Sequence, residues 1–115
     1  MNAPFDYKHP FLAGGVKQLF IGGEWVDAIS GETFDCVDPS RGASAIKVAR
    51  GGAADIDRAV AAARAAFEGE WSKWSAFDRQ ALMLKAAKAI DARFEELARL
   101  ESIDMGAPLA RTGLF

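Results

Sequence analysis

The chain has one cysteine, one histidine and almost no excess of charge of either sign in its 115 residues. One cysteine excludes an intrachain disulfide framework, and with one histidine it leaves few ligands for a Cys/His metal site. A net charge of −2 gives no basic surplus to attract nucleic acid or an anionic membrane. No apolar run reaches the roughly 18 residues of a spanning helix, and the first residues lack a secretory pattern. We therefore expect a soluble, cytoplasmic protein without a nucleic-acid or membrane partner.

The first segment, residues 1–17, is predicted to be an N-terminal arm. Its apolar residues Phe5, Tyr7, Phe11 and Leu12 follow no period, and prolines and glycines interrupt it. Two interpretations stay open. The arm is either a frayed terminus or a segment that becomes ordered against a partner surface, since it is too aromatic for a simple linker.

The region after the arm, residues 18–115, begins with short runs of strand-forming residues. Leu19–Ile21 and Glu24–Val26 are separated by Gly22 and Gly23, which predicts a hairpin because both central positions of such a turn need positive φ. Together with two further runs, these strands predict one antiparallel meander. The two further predicted strands are residues 33–37 and 45–49.

The second half of this region is predicted to be helical. Ser75 and Asp78 resemble a capping box at the start of one helix. Apolar positions over residues 82–103 then indicate one long amphipathic helix or two nearly collinear ones, with Gly106 as the C-cap. A preceding helix is predicted to have one apolar face, formed by Ile56, Val60, Ala63 and Phe67.

Few residues offer catalytic chemistry. Cys36 lies in a predicted strand near Asp35 and Asp38, whose charges raise the expected pKa of its thiol and favour a structural role over a nucleophilic one. His9 lies in the arm without a partner in the pattern, so no catalytic role is predicted for it. Anion binding at the helix that follows Gly51 and Gly52 is opposed by the charge of Asp55.

One acidic residue has an unusual position. Asp104 lies near a predicted helix C-terminus, where the macrodipole disfavours negative charge unless a cation or donor is close. It is either an exposed acid or an oxygen ligand for a cation, helped by neighbouring carbonyls. Trp71 and Trp74 are interpreted as packing between two helices, because no basic stripe accompanies them as in a nucleic-acid site.

Several pieces of sequence occur in a recognisable order and spacing. They are LFIGGEW at residues 19–25, SGETF at 30–34, DP at 38–39, the alanine-rich stretch at 54–67, Trp74, Arg79 and the stretch at 97–109. This order resembles the opening of the aldehyde dehydrogenase superfamily and covers most of residues 18–110. Each piece is weak alone, whereas their shared order is specific.

The resemblance implies an α/β fold, in which residues 18–115 form the leading, C-terminally truncated part of a Rossmann-like cofactor-binding domain. Such enzymes oxidise an aldehyde to a carboxylic acid with NAD or NADP. A cysteine attacks the aldehyde, hydride passes to the nicotinamide, and a glutamate-activated water hydrolyses the thioester. In the family these groups and the dinucleotide site lie C-terminal of the matched region. We therefore expect no catalytic or cofactor-binding residue here, an inactive chain, a homo-oligomeric parent enzyme and a fragment that self-associates.

The resemblance also implies a structural Na⁺ or K⁺ site. Its ligands would be the main-chain carbonyls of Cys36 and Val37 and the carboxylate of Asp104. Two departures from the family pattern are DPSRG at residues 38–42, in place of Asn-Pro-Ala-Thr-Gly, and Ala107, in place of a lysine. Both are changes in turns, and they leave the subfamily and the aldehyde unassigned.

Two alternatives to an enzyme segment stay open. The chain is also interpretable as a non-catalytic interaction or assembly module, whose aromatic arm and apolar helix faces pair with a partner chain. A self-contained metal-binding domain built on Asp104 and the strand carbonyls is the other alternative. We expect the enzyme segment.

Overall fold

The computed structural model describes residues 6–112 as two short β-hairpins followed by helices. The strands are β1 (Leu19–Ile21), β2 (Glu24–Val26), β3 (Thr33–Asp38) and β4 (Ala43–Ala49). The helices are α1 (Ala53–Glu68), α2 (Glu70–Lys73), α3 (Ala76–Asp91), α4 (Phe94–Met105) and α5 (Leu109–Thr112). A short 3₁₀ turn, Pro10–Ala13, precedes them in the arm.

The first hairpin forms as the sequence predicts. Strands β1 and β2 pair antiparallel, with Phe20 opposite Trp25. The turn residues Gly22 and Gly23 have φ of 64° and 86°, values that a side chain would strain. The glycine doublet therefore determines where the chain reverses.

The prediction of one four-stranded meander is wrong. Within residues 6–112, β1 pairs only with β2 and β3 only with β4, which gives two separate two-stranded sheets. The connection between the hairpins is held by α1, because the backbone N–H of Ile29 donates to the carboxylate of Asp55 at 3.1 Å. The free edge of β4 pairs with the arm, since Lys17 N donates to Lys47 O and Lys17 O accepts from Ala49 N.

Helix α1 forms where the sequence predicts a helix, but a different side of it is buried. Asp55 is buried, and Ala59 and Ala62 on the same side are half-buried. The predicted apolar face lies about 100° further round the helix. Its large members Ile56, Val60 and Phe67 are 59–64% exposed.

The long helical stretch is two helices. The predicted capping box starts α3: Ser75 Oγ accepts from Asp78 N at 3.1 Å, and the Asp78 carboxylate accepts from Ser75 N at 3.0 Å. The helix ends near Ala92, and Arg93 (φ −117°, ψ 18°) separates it from α4. Gly106 ends α4 in the left-handed conformation, as predicted.

From Asp6 onward the arm packs on the same chain. For these residues the structure therefore shows neither a frayed terminus nor a segment that needs a partner to become ordered. Arg99 in α4 donates to the carbonyls of Asp6 and Lys8 at 2.9 and 3.1 Å, and His9 is buried against the same helix. The arm needs no partner for these contacts. Phe5 lies outside the described residues. Among the described residues, the buried apolar side chains are Ala28, Ala49, Ala98 and Ile103.

Candidate functional site

Two of the three residues predicted to bind a cation, Cys36 and Asp104, meet where β3 approaches the end of α4. The register of the second hairpin shifts between Cys36 and Val37, which marks a bulge in β3. The thiol of Cys36 donates to Asp104 Oδ1 at 3.3 Å. Ile103, only 1% exposed, fixes the end of α4 beside this contact. The structure thus brings together Cys36 and Asp104, which are 68 positions apart in the chain.

The contact explains the unusual position of Asp104. The helix macrodipole disfavours this carboxylate unless a cation or a donor is close, and the Cys36 thiol is such a donor. The hydrogen bond to Asp104, followed by burial, raises the pKa of Cys36. The predicted direction of the pKa shift is therefore right, but its cause is Asp104, which no local sequence pattern connects with the thiol. A protonated thiol is a poor nucleophile, which agrees with a structural role.

The turn after β3 is held by a second carboxylate. The fully buried side chain of Asp38 accepts from Ser40 N at 2.8 Å and from Arg41 Nε at 2.7 Å. These bonds, led by the one from Arg41, lower the pKa of Asp38. Gly106 packs on the same turn, since a Cβ there would lie 3.0 Å from Pro39 Cγ. The turn and the end of α4 are therefore one connected unit.

His9 has a structural role. Its Nδ1 accepts from the backbone N–H of Phe11 at 3.1 Å, which assigns the proton to Nε2. The Nε2–H then donates to the carbonyl of Glu96 at 3.0 Å. With both ring nitrogens bonded and the side chain buried, the imidazole holds the arm on α4. No catalytic role was predicted for His9, and this geometry gives it a structural role.

Asp55 caps α1 from inside the structure. Its carboxylate accepts from the backbone N–H groups of Gly52 at 3.0 Å and Ile29 at 3.1 Å, and the residue is 2% exposed. Negative charge is already present where an anion would bind, so the expected opposition to anion binding has a direct structural basis. The sequence predicts the opposing charge of Asp55 at this helix, but no local pattern indicates its bond to Ile29.

An apolar groove of about 500 Å³ lies between the arm, β4 and α4. Cys36 and Asp104 lie at its wall, together with Lys17. The Lys17 ammonium lies 4.3 Å from the ring centre of Phe11. The other apolar lining residues include Leu12, Ile46, Val48, Leu97, Leu100 and Ile103.

The remaining candidates do not assemble into a reactive site. Trp71 and Trp74 contact each other, with ring centres 5.3 Å apart, and the Arg79 guanidinium of α3 lies 5.0 Å from the Trp71 ring. Within the described part of the chain, no three His, Cys, Asp or Glu side chains cluster closely enough to hold a metal. An ion at the Cys36–Asp104 junction would therefore depend on main-chain oxygens. Among residues 6–112, no helix is both long and apolar enough to cross a bilayer.

The geometry defines a folded segment with structural carboxylates and a structural thiol. Comparison with known proteins shows the family to which this segment belongs. The sequence model described as "Aldehyde dehydrogenase family" matches residues 25–113. The chain belongs to the aldehyde dehydrogenase family.

Similar proteins include NADP/NAD-dependent aldehyde dehydrogenase PuuC of Escherichia coli, 48% identical over 94 residues. The match covers 81% of this chain and 19% of the relative. Aldehyde dehydrogenase family 2 member B4, mitochondrial, of Arabidopsis thaliana is 49% identical over 101 residues, which cover 87% of this chain and 19% of that protein. The chain thus spans about a fifth of these curated relatives.

Solved structures show the same arrangement within longer chains. Betaine aldehyde dehydrogenase of Staphylococcus aureus in complex with NAD⁺ matches with a TM-score of 0.85 at 36% identity, over 90% of this chain and 21% of its own. An NAD-dependent aldehyde dehydrogenase of Sinorhizobium meliloti matches with a TM-score of 0.82 at 40% identity, over 94% and 22%. The α/β fold expected from the resemblance is therefore that of these neighbours.

Proposed function

We propose that this chain supplies the N-terminal part of the cofactor-binding domain of an enzyme that oxidises an aldehyde to a carboxylic acid with NAD or NADP. The observation that carries the proposal is the match at TM-scores of 0.82–0.85 over about nine tenths of the chain. In the proposed division, residues 1–17 are the arm and residues 18–115 are the leading part of a Rossmann-like domain. A cytoplasmic location and a homo-oligomeric parent belong to the same proposal.

The N-terminus of α1 does not fit the phosphates of a dinucleotide. Phosphates bind where the backbone N–H groups of a helix N-terminus are available. At α1 the carboxylate of Asp55 already accepts from Gly52 N, so a phosphate would meet negative charge. The single thiol, Cys36, is bonded to Asp104 with a raised pKa. We therefore place the nucleophile, the general base and the NAD(P) site outside this chain and expect the chain alone to be inactive.

A chimera tests the enzyme assignment. The chain would replace its aligned segment in the E. coli relative, and aldehyde-dependent reduction of NAD⁺ or NADP⁺ would be followed at 340 nm. We expect activity from the chimera and none from the isolated chain. An inactive but folded chimera, or turnover by the pure chain, would contradict the proposal.

The cation site is a second part of the proposal. The Asp104 carboxylate and the carbonyls of Cys36 and Val37 are hard oxygen donors, which suit Na⁺ or K⁺. The 3.3 Å contact between the Cys36 thiol and the Asp104 carboxylate supports the site, because it brings two of the proposed ligand residues together. Thermal unfolding in NaCl, KCl and tetramethylammonium chloride at equal ionic strength tests it. We expect the Tm to rise with Na⁺ or K⁺ in the native chain but not in Asp104→Asn. Equal Tm values in the three salts would contradict the site.

A specific observation also favours the interaction-module alternative. Large apolar side chains on several elements are more than half exposed, such as Phe20 and Trp25 on the first hairpin and Phe77 on α3. Extended apolar exposure of this kind marks a binding surface. In this alternative the chain pairs with another polypeptide instead of catalysing a reaction.

A further inference from the structure

The arm is attached to α4 through a histidine whose hydrogen bonds depend on its protonation state. His9 Nδ1 accepts from the backbone N–H of Phe11 at 3.1 Å, and His9 Nε2 lies 3.0 Å from the carbonyl oxygen of Glu96. A neutral imidazole has one acceptor nitrogen and one N–H donor, which these two partners require. In the imidazolium both nitrogens carry a proton, so the Nδ1–H would face the N–H of Phe11. Protonation therefore replaces a hydrogen bond by two opposed donors.

The position of His9 makes this change costly. The imidazole caps the 3₁₀ turn Pro10–Ala13, and because Pro10 has no N–H, the first N–H of the turn belongs to Phe11. His9 is 4% exposed, so a protonated Nδ1 has little access to water as an alternative acceptor. An unpaired donor on a buried charged ring is unfavourable. Detachment of the arm returns the ring to water and removes this penalty.

The carboxylates around His9 are already paired. Glu96 of α4 is the carboxylate whose charge interacts with His9, but its two oxygens accept from Arg93 at 2.7 and 2.9 Å. In the arm, the carboxylate of Asp6 lies 3.9 Å from the guanidinium of Arg99. These pairings weaken the stabilisation that either carboxylate would give to an imidazolium.

Cations on the arm and on the turn after β3 oppose a further positive charge. Lys8 directly precedes His9, and Arg41 of the turn lines the same cleft as both residues. The Arg41 guanidinium lies 4.4 Å from the ring centre of Tyr7, and its Nε donates to Asp38 at 2.7 Å. The charges that face the bound ring therefore give a second proton little stabilisation.

The part of the arm that His9 holds forms one wall of the apolar groove. Phe11 and Leu12 line this groove together with Leu97 of α4. The N–H of Leu12 donates to the carbonyl of His9 at 2.9 Å, which ties the turn to the histidine. After the turn, Lys17 is held separately by its main-chain bonds to β4. Detachment at His9 would thus be confined to residues 6–13 and would open the groove.

We propose that His9 is a pH-sensitive switch: protonation of its ring releases residues 6–13 from α4 and opens the groove, while Lys17 stays paired with β4. Histidine is the side chain that ordinarily changes charge between pH 5 and 8, so the switch operates in that range. The arm is attached at the higher pH, and the attachment is lost as the pH falls. Every group involved lies within residues 6–112, so the switch stands or falls separately from the enzyme assignment.

Amide hydrogen exchange of the chain at about pH 7.5 and 5.5 tests the switch, with each rate corrected for the intrinsic effect of pH. We expect the protection of the Phe11 N–H to fall about tenfold or more at the lower pH, because one proton then favours the released arm. The N–H of Ala49, which donates to Lys17 O at 2.8 Å, is the internal control. Its protection should change by less than about twofold, since that pairing does not involve the histidine.

His9→Asn separates titration from a merely structural role. An asparagine oxygen can accept from the N–H of Phe11, and it gains no proton in this pH range. We expect lower protection at Phe11 in this variant, because the bond to Glu96 is lost, but equal protection at the two pH values. The proposal is overturned if Phe11 is unprotected in the native chain at the higher pH or equally protected at both. It is also overturned if the variant keeps the pH effect, or if Ala49 loses protection in parallel with Phe11.

Discussion

Replacing Asp55 by alanine tests how α1 is attached to the rest of the chain. The buried carboxylate accepts from Gly52 N at 3.0 Å and from Ile29 N at 3.1 Å. The first bond caps the helix, and the second reaches 26 positions back to the connection between the hairpins. Removing the carboxylate would therefore loosen both features together.

The expected magnitude follows from these contacts. A hydrogen bond to a charged group contributes about 1.5–3 kcal/mol, and a charge at a helix N-terminus adds about 0.3–1 kcal/mol. The two bonds share one side chain, and water compensates for part of the loss when they are removed, so their contributions do not simply add. We therefore expect Asp55→Ala to lower the free energy of unfolding by about 3 kcal/mol. Local opening at Ile29 should become about 10–100 times more frequent, at 1.4 kcal/mol per factor of ten.

Urea denaturation measures the total effect, and amide hydrogen exchange at Ile29 measures the local one. Asp57→Ala is the matched control, since it removes an exposed carboxylate from the same helical turn. We expect that control to change the free energy of unfolding by less than about 0.5 kcal/mol. If Asp55→Ala behaves like the control and exchange at Ile29 is unchanged, the assigned role of Asp55 is refuted.

Three further changes test the second hairpin and the end of α4. Ile103→Ala should lower the free energy of unfolding by about 2–5 kcal/mol in urea, because the side chain is 1% exposed; a loss below about 1 kcal/mol would contradict its place in the core. The pKa of Asp38 in the folded chain is lower than its ordinary value of 3.8, so the ionised carboxylate stabilises the fold at pH values above 3.8. This stabilisation is lost as the pH falls through the lowered pKa. Asp38→Asn should therefore lower the Tm at pH 7 and have less effect at pH 3, and an equal effect at both would refute the ionic role. Gly106→Ala should cost more than Gly23→Ala in the same assay, because both have positive φ but only a Cβ at Gly106 would crowd Pro39; equal losses would refute the crowding.

Local signals in the sequence predicted local structure well. The glycines at 22 and 23, the Ser75–Asp78 pair and Gly106 all act within a few residues, and each has the predicted conformation. The pairing of Asp104 with a donor was partly predictable, since a carboxylate at a helix end needs one. Which donor it is depends on a contact with Cys36 across the fold, and no local pattern encodes that.

The errors arise where distant parts of the chain compete. Strand-like runs do not specify which strands pair, and the bond from Ile29 to Asp55 holds the connection between the two hairpins on α1. A helical pattern likewise identifies an apolar face without saying what covers it. In α1 that face stays exposed because the first hairpin packs on the alanine side. No proline or glycine in the sequence marks the break between α3 and α4 at Arg93.

The way in which Arg99 holds the arm has a consequence for sequence variation. Its guanidinium binds the main-chain oxygens of Asp6 and Lys8, which any residue type provides. The Asp6 carboxylate also lies 3.9 Å from the Arg99 guanidinium and accepts from Lys8 N at 2.9 Å, so only the side chain of Lys8 is under weak constraint from this contact. Arg99 and His9 are constrained by their own side-chain bonds. Natural homologues should accordingly vary at position 8 while Arg99 and His9 change slowly.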